Sequence, residues 1–243
     1  MTYAELYDSL LQHPMLLWVA AIVGLLLALS RCGLTPAVRW FCVALTSISL
    51  FDAWLTTDDV PGIGSLTGAA ASLVPLAFVL IGDFRYFFFI ESARSDGSLA
   101  VSASGLARAC AWTLVVPLGS QLVVSLLGSD DPRVLFLVYE VLFVLLSAGI
   151  AARYLPQHSD ALRWTRRVTV FIIAYYGLWA VSDAIILRTG ADWGFLLRML
   201  PNVLYYGGLV PMIAWAAPRD ESGTGKMTGH PAGVQQVEHA EDQ

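Results

Sequence analysis

The residues able to do chemistry in this 243-residue chain are few, and most are carboxylates set inside long apolar runs. Asp52, Glu140 and Asp183 each lie within such a run, as do Asp83 and Arg85 in the stretch IGDFRYFFFIE. A charge at the centre of a hydrocarbon layer costs roughly 2.5 to 3.5 kcal/mol on insertion scales, so these positions point to a partner or a ligand. Their neighbours have the make-up of a small-molecule site, aromatic walls with a few polar groups. Tyr176, Trp179 and Asp183 fall at i, i+3 and i+7, one stripe of a helix. Ser49 and Thr56 flank Asp52 at i−3 and i+4, and Asn202 precedes Tyr205 and Tyr206 by three and four positions. Asp52, Glu140, Asp183, Tyr176, Trp179 and Asn202 are therefore the candidate binding residues.

Asp83, Arg85 and Gln121 read as structural polar groups. At i and i+2, Asp83 and Arg85 do not face each other on a helix, so each needs a partner on another element. Gly82 lets a second helix come close beside Asp83. Pro117 predicts a kink, with Ser120 and Gln121 placed to satisfy the carbonyl that a proline leaves without a donor. Glu91 and Arg94, at i and i+3, read as a solvated pair at a helix end.

Other chemistry is thin. The four histidines, His13, His158, His230 and His239, stand outside the apolar runs and none is paired at helical spacing, which argues against an intramembrane zinc site. Cys32, Cys42 and Cys110 form no CxxC pair. Neither a nucleophile elbow nor a phosphate-cradling glycine loop occurs. No metal or cofactor is expected, and an enzyme is the least favoured class. The one lysine, Lys226, lies in the polar tail, so the last helix has none for a retinal Schiff base.

The elements that must position these residues follow from composition. Hydrophobic residues make up 57% of the chain and charged residues 14%, with mean hydropathy +0.65, whereas soluble domains carry about 25% charged residues. Lipid is the natural solvent for such a surface. The net charge of −5 offers no basic face for nucleic acid. Seven apolar runs read as helices: 14–30, 36–57, 68–90, 101–127, 132–153, 167–187 and 195–217. Each is close to the length that crosses about 30 Å of hydrocarbon at roughly 1.5 Å per residue. Thr35 before Pro36 and Asp131 before Pro132 mark two helix starts. The expectation is an all-α polytopic membrane protein, a seven-transmembrane-helix bundle over residues 14–217.

Arginines orient the bundle. Arg31 and Arg39, Arg94 and Arg108, and Arg153, Arg163, Arg166 and Arg167 fall in the odd-numbered loops, which the positive-inside rule places in the cytoplasm. The N-terminus is then outside and the C-terminus cytoplasmic, in a plasma (inner) membrane. Residues 1–13 lack the basic start of a signal peptide and read as a short extracytoplasmic segment. Residues 218–243 are polar and without periodicity, and are expected to be disordered. Counting along the runs places Asp52 about 24 Å from the cytoplasmic start of its helix, Asp183 similarly far along its own, and Glu140 about 12 Å below the outer start. All three fall in the outer half. If they converge, they make an acidic vestibule that attracts cations, and protonation there couples to solute movement.

Two resemblances accompany this pattern. TPAVRW at 35–40 is similar to SDALRW at 159–164, and Pro75 precedes Gly82 by the spacing that separates Pro201 from Gly208. Mapping helices one to three onto five to seven gives a 3+1+3 helix repeat with parallel halves, which resembles the plan of SWEET and semiSWEET sugar transporters. The chain has no proline-glutamine motif of the related PQ-loop proteins. Phe51-Asp52 and Gly82-Asp83-Phe84 resemble the YD and GxGD motifs of presenilin-class proteases, and Pro117-Leu118 a fragment of their PAL element. Leu80 stands where GxGD has its first glycine. The counted depths of Asp52 and Asp83 differ by roughly 18 Å, against about 3 Å for a proton-sharing pair, and the hydrolase reading is set aside on that ground.

The functional expectation is binding or transport of a small, cationic solute. Its alternative is a non-catalytic sensor, assembly factor or subunit that packs against a membrane partner or a second copy of itself.

Overall fold

A computed structural model describes residues 14–55, 69–93, 98–154, 160–190 and 193–218. Seven helices account for nearly all of them. They are α1 (Pro14–Leu29), α2 (Pro36–Leu55), α3 (Ala69–Ser92), α4 (Ala103–Leu127), α5 (Pro132–Tyr154), α6 (Asp160–Thr189), and a seventh that continues as α7 (Trp193–Val203), a π turn (Leu204–Gly208) and α8 (Leu209–Ala216). Among the described residues there is no strand, only an isolated bridge between Ala93 and Leu99. The expected N-terminal segment and almost all of the expected tail lie outside the described residues.

Local chemistry sets the helix ends. The Val38 amide donates to Thr35 Oγ1 at 3.3 Å and the Arg133 amide to Asp131 Oδ1 at 2.8 Å, so both predicted starts are capped. Ser102 caps α4 by accepting from the Gly105 amide at 3.1 Å. Gly128 closes α4 in the left-handed region at φ 64°, which costs glycine nothing. Arg31, in the α1–α2 turn, donates to the Ala217 carbonyl at 2.8 Å and so caps the end of α8.

Two elements differ from expectation. Helix α6 begins at Asp160, well before residue 167, because its first turns are amphipathic rather than apolar. Trp164, Thr165 and Val168 are buried there, while Arg163, Arg166 and Arg167 face outward. The seventh helix carries a π turn that apolar periodicity does not reveal. Pro211 has no amide to donate to the Gly207 carbonyl four residues back, and the wider turn ends next to that gap.

The helices pack in chain order as a ring closed by α1 against the seventh helix, with α2 also touching α8. Side chains of α3 reach inward to α5, α6 and the seventh helix. Phe89 meets Trp164 edge-on at 5.0 Å, and Phe87 lies 5.5 Å from Phe143. Glu91 accepts from Arg108 at 2.7 Å and from Trp112 Nε1 at 3.1 Å, so its partners come from α4; Arg94 is outside the described residues.

The distribution of polarity is that of an integral membrane protein. Four helices are long and apolar enough to cross a membrane: Pro36–Trp54, Ala103–Leu127, Pro132–Ala152 and Arg163–Thr189. Leu118, Leu122 and Leu126 line the outer face of α4 at 62–79% exposure, while Asp52, Asp83, Arg85, Glu140 and Asp183 are all buried. No disulfide forms among the cysteines: Cys42 is buried and Cys32 and Cys110 are exposed.

Closure of the ring depends on two glycines. A Cβ at Gly24 would strike the Gly207 carbonyl, and one at Gly207 would lie 2.7 Å from the Ala20 carbonyl oxygen. Gly207→Val is expected to lower stability by about 1–3 kcal/mol, read as a fall in thermal midpoint in detergent. Gly149→Ala, which meets open space, is expected to be neutral or slightly stabilising. An unchanged midpoint for Gly207→Val would contradict the packing.

Candidate functional site

The buried charges fall into two layers that meet at Tyr139 and Glu140 of α5. Arg85, on α3, centres the inner layer. Its Nε donates to the Gly82 carbonyl at 3.1 Å, as the i−3 spacing allows. Its Nη1 donates to Ser49 of α2, and its Nη2 lies 4.0 Å from Asp52 Oδ2, with both side chains fully buried. The guanidinium sits over the Tyr205 ring at 4.1 Å and the Tyr206 ring at 5.6 Å, so the π turn supplies two adjacent aromatic faces to one cation. Asp83 is held separately: Tyr139 of α5 donates to Oδ2 and Tyr176 of α6 to Oδ1. Phe143 stacks on Tyr176 at 3.9 Å and fixes that ring.

The outer layer joins α5, α6 and α7. Asp183 Oδ1 accepts from Arg133 Nη1 at 3.1 Å and also from Arg198 Nη1. Arg198 Nη2 lies 3.9 Å from Glu140 Oε1. Aromatic rings back both cations, Phe195 at 4.7 Å from Arg133 and Phe136 at 6.0 Å from Arg198. Between the layers, Trp179 Nε1 donates to Asn202 Oδ1 at 2.9 Å and packs edge-on against Tyr176 at 5.2 Å, tying α6 to α7.

The structure thus brings Glu140 and Asp183 together and places Asp52 with Asp83 and Arg85 instead. The counted gap between Asp52 and Asp83 does not hold, because helix register, not the ends of the apolar runs, decides which side chains meet. Helix α6 starts seven residues earlier than its apolar run, so a count from the start of the run misplaces residues along it. Contacts of Phe41 with Phe88 and of Ser49 with Arg85 set the α2–α3 register, and they put Arg85 beside Asp52 despite the counted gap. Asp52 and Asp83 are each engaged by a different partner, Arg85 and the tyrosine pair.

Nor is the outer layer a bare acidic vestibule, because two arginines balance its two carboxylates. Arg133 and Arg198, at the ends of their apolar runs, both stand on helices with side chains turned inward, at 22% and 15% exposure. The signal for Arg133 is its place with Phe136 and Glu140 at i, i+3 and i+7. Gln121 faces outward on α4, and Ser120 donates to the carbonyl of Pro117 itself, at 3.0 Å, rather than to the Thr113 carbonyl that the proline leaves without a donor. A groove lined by Leu34, Pro36, Arg39, Trp40 and Val43 lies at the other end of α2. No group of three metal-ligating side chains occurs among the described residues.

Chemically, the column offers buried acceptors beside fixed cations. Asp183 Oδ2 and Glu140 Oε2 are buried and accept no hydrogen bond in this arrangement, which leaves them available to a donor.

Tyr139→Phe or Tyr176→Phe is expected to cost about 1.5–3 kcal/mol, the worth of a hydrogen bond to a charged group, measured by denaturation in detergent. Adding Asp83→Leu to the double variant Tyr139→Phe/Tyr176→Phe is expected to recover part of the combined loss, because the orphaned acceptor goes and no tyrosine hydroxyl is left without a partner. Wild-type stability for both single variants would contradict the assignment. Comparison with known proteins returns no similarity: no family model, curated protein or solved structure matches the chain.

Proposed function

We propose that this is a seven-span membrane protein, N-terminus outside and arginine-rich loops cytoplasmic, that binds a small cationic solute between its helices and passes it through the bundle. One observation supports the reading above others: buried carboxylate oxygens without a donor, on Glu140 and Asp183, at the outer end of a polar column that continues inward to Arg85. A solute rich in N–H or O–H donors meets acceptors already stripped of water, and Trp179, Tyr176 and Asn202 line the way between the layers. Binding then means exchange, with the solute taking a carboxylate from Arg198 or Arg133. In the same reading the halves follow the 3+1+3 plan, with α4 lying between α3 and α5.

A second reading, a subunit of a membrane complex, is favoured by Gln121. It is exposed on α4 among Leu118 and Leu122, and a polar side chain on a lipid-facing surface is answered when another helix packs there.

Flux into proteoliposomes tests the first reading. Wild-type protein is expected to move at least one of a panel of inorganic and organic cations, and Asp183→Asn is expected to slow it about tenfold or more, the worth of one charge-assisted contact. Absence of movement for the whole panel, with no response to a pH gradient, would contradict transport. Co-elution of a partner in fixed ratio from mild detergent, lost in Gln121→Leu, would favour the subunit.

A further inference from the structure

The hydrogen bonds of the outer layer do not balance. Asp183 places both of its arginine contacts on Oδ1, and Oδ2, at the other side of the same carboxylate, is buried with no donor. Glu140 repeats the pattern: Oε1 faces Arg198 at 3.9 Å, and Oε2 is buried with no donor. The side chains are 0% and 5% exposed. Both carboxylates lie against the one Arg198 guanidinium, Asp183 through Oδ1 at Nη1 and Glu140 with Oε1 3.9 Å from Nη2, which sets them side by side. Two ionised carboxylates in that position would repel each other and leave both orphan oxygens desolvated, an arrangement that buried polar groups avoid.

Three species can bridge such a pair. A water needs room and two to four polar partners, and the arginines already spend their nearest donors on the opposite oxygens. A metal ion needs at least a third ligand, and no third metal-ligating side chain joins these two among the described residues. A proton needs neither space nor further ligands.

We propose that Glu140 and Asp183 form a proton-binding carboxyl pair, in which one proton resides on Glu140 and is donated to Asp183 Oδ2. Asp183 keeps the negative charge because two guanidiniums donate to it directly; the contact of Glu140 to Arg198 is longer, at 3.9 Å. The proton comes from water at the outer end of the column, where Arg133 and Arg198 retain some exposure. Every facing charge is then accounted for: Asp183 from α6, Arg198 from α7 and Arg133 from the same helix as Glu140. The formal charge of the four side chains goes from zero to plus one on uptake. The site deepens the solute-binding reading and rests on it only for its consequence, that a cation competing for Glu140 must displace this proton.

Infrared spectroscopy of the full chain in lipid nanodiscs tests the pair independently of any solute. The wild type is expected to show a protonated-carboxyl C=O band at neutral pH that shifts in D2O. Glu140→Gln is expected to abolish it, and Asp183→Asn to shift it, because the acceptor changes. A variant that does not fold is replaced by an alkaline titration of the wild type, in which loss of the band is expected to release one proton per chain to a pH-indicator dye. Absence of the band at neutral pH, its survival in Glu140→Gln, or a Na+ requirement in place of the proton would overturn the proposal. An intact band with no flux would sink the transport reading and leave the pair standing.

Discussion

Arg85 has no water to answer its charge. It is fully buried, cannot lose its proton under ordinary conditions, and cannot reach a headgroup from its place among α2, α3 and the seventh helix. Everything around it follows from that constraint. The Gly82 carbonyl and Ser49 take two of its donors, Asp52 supplies the opposing charge, and Tyr205 and Tyr206 offer their ring faces. A buried guanidinium left without these would cost several kcal/mol after relaxation. The bundle is therefore organised from inside outward, with polar groups setting which helices meet and aliphatic groups meeting lipid.

The same constraint explains the irregular parts of the backbone. Two adjacent tyrosines reach one cation because a π turn, not an α turn, carries them. That turn sits where Gly207 and Gly24 bring the seventh helix against α1. Gly82 keeps the space beside Asp83 open for the Tyr205 hydroxyl, the atom that an added Cβ there would strike. Close approach, π geometry and charge burial thus occur at one level of the bundle. Inner and outer layers join through neighbouring residues of α5, since Tyr139 reaches Asp83 while Glu140 reaches Arg198.

Much of the fold was legible in the sequence, because apolar run length and proline-cap pairs are local signals. Pro14, Pro36 and Pro132 open helices where the pattern predicts. The buried charges were legible too, since Asp52, Asp83, Arg85, Glu140 and Asp183 stand out against their runs. Their grouping was not. It depends on helix register, which side-chain packing sets and hydropathy does not encode. Arg133 and Arg198 escaped notice for a related reason: at the end of an apolar run an arginine that snorkels outward and one that folds inward look alike. Gln121 failed in the opposite sense, since proximity to Pro117 in sequence did not place it on the inner face.

A double-mutant cycle at Asp52 and Arg85 tests the central claim, that the buried charges compensate one another across helices, most directly. Unfolding free energies would be measured in detergent for Asp52→Asn, Arg85→Leu and the pair together. Each single variant is expected to be destabilised, and the double to be more stable than their sum implies, with a coupling of about 1–3 kcal/mol. Additive losses, with no coupling beyond error, would mean that Arg85 and Asp52 do not answer each other and that the account built on them is wrong.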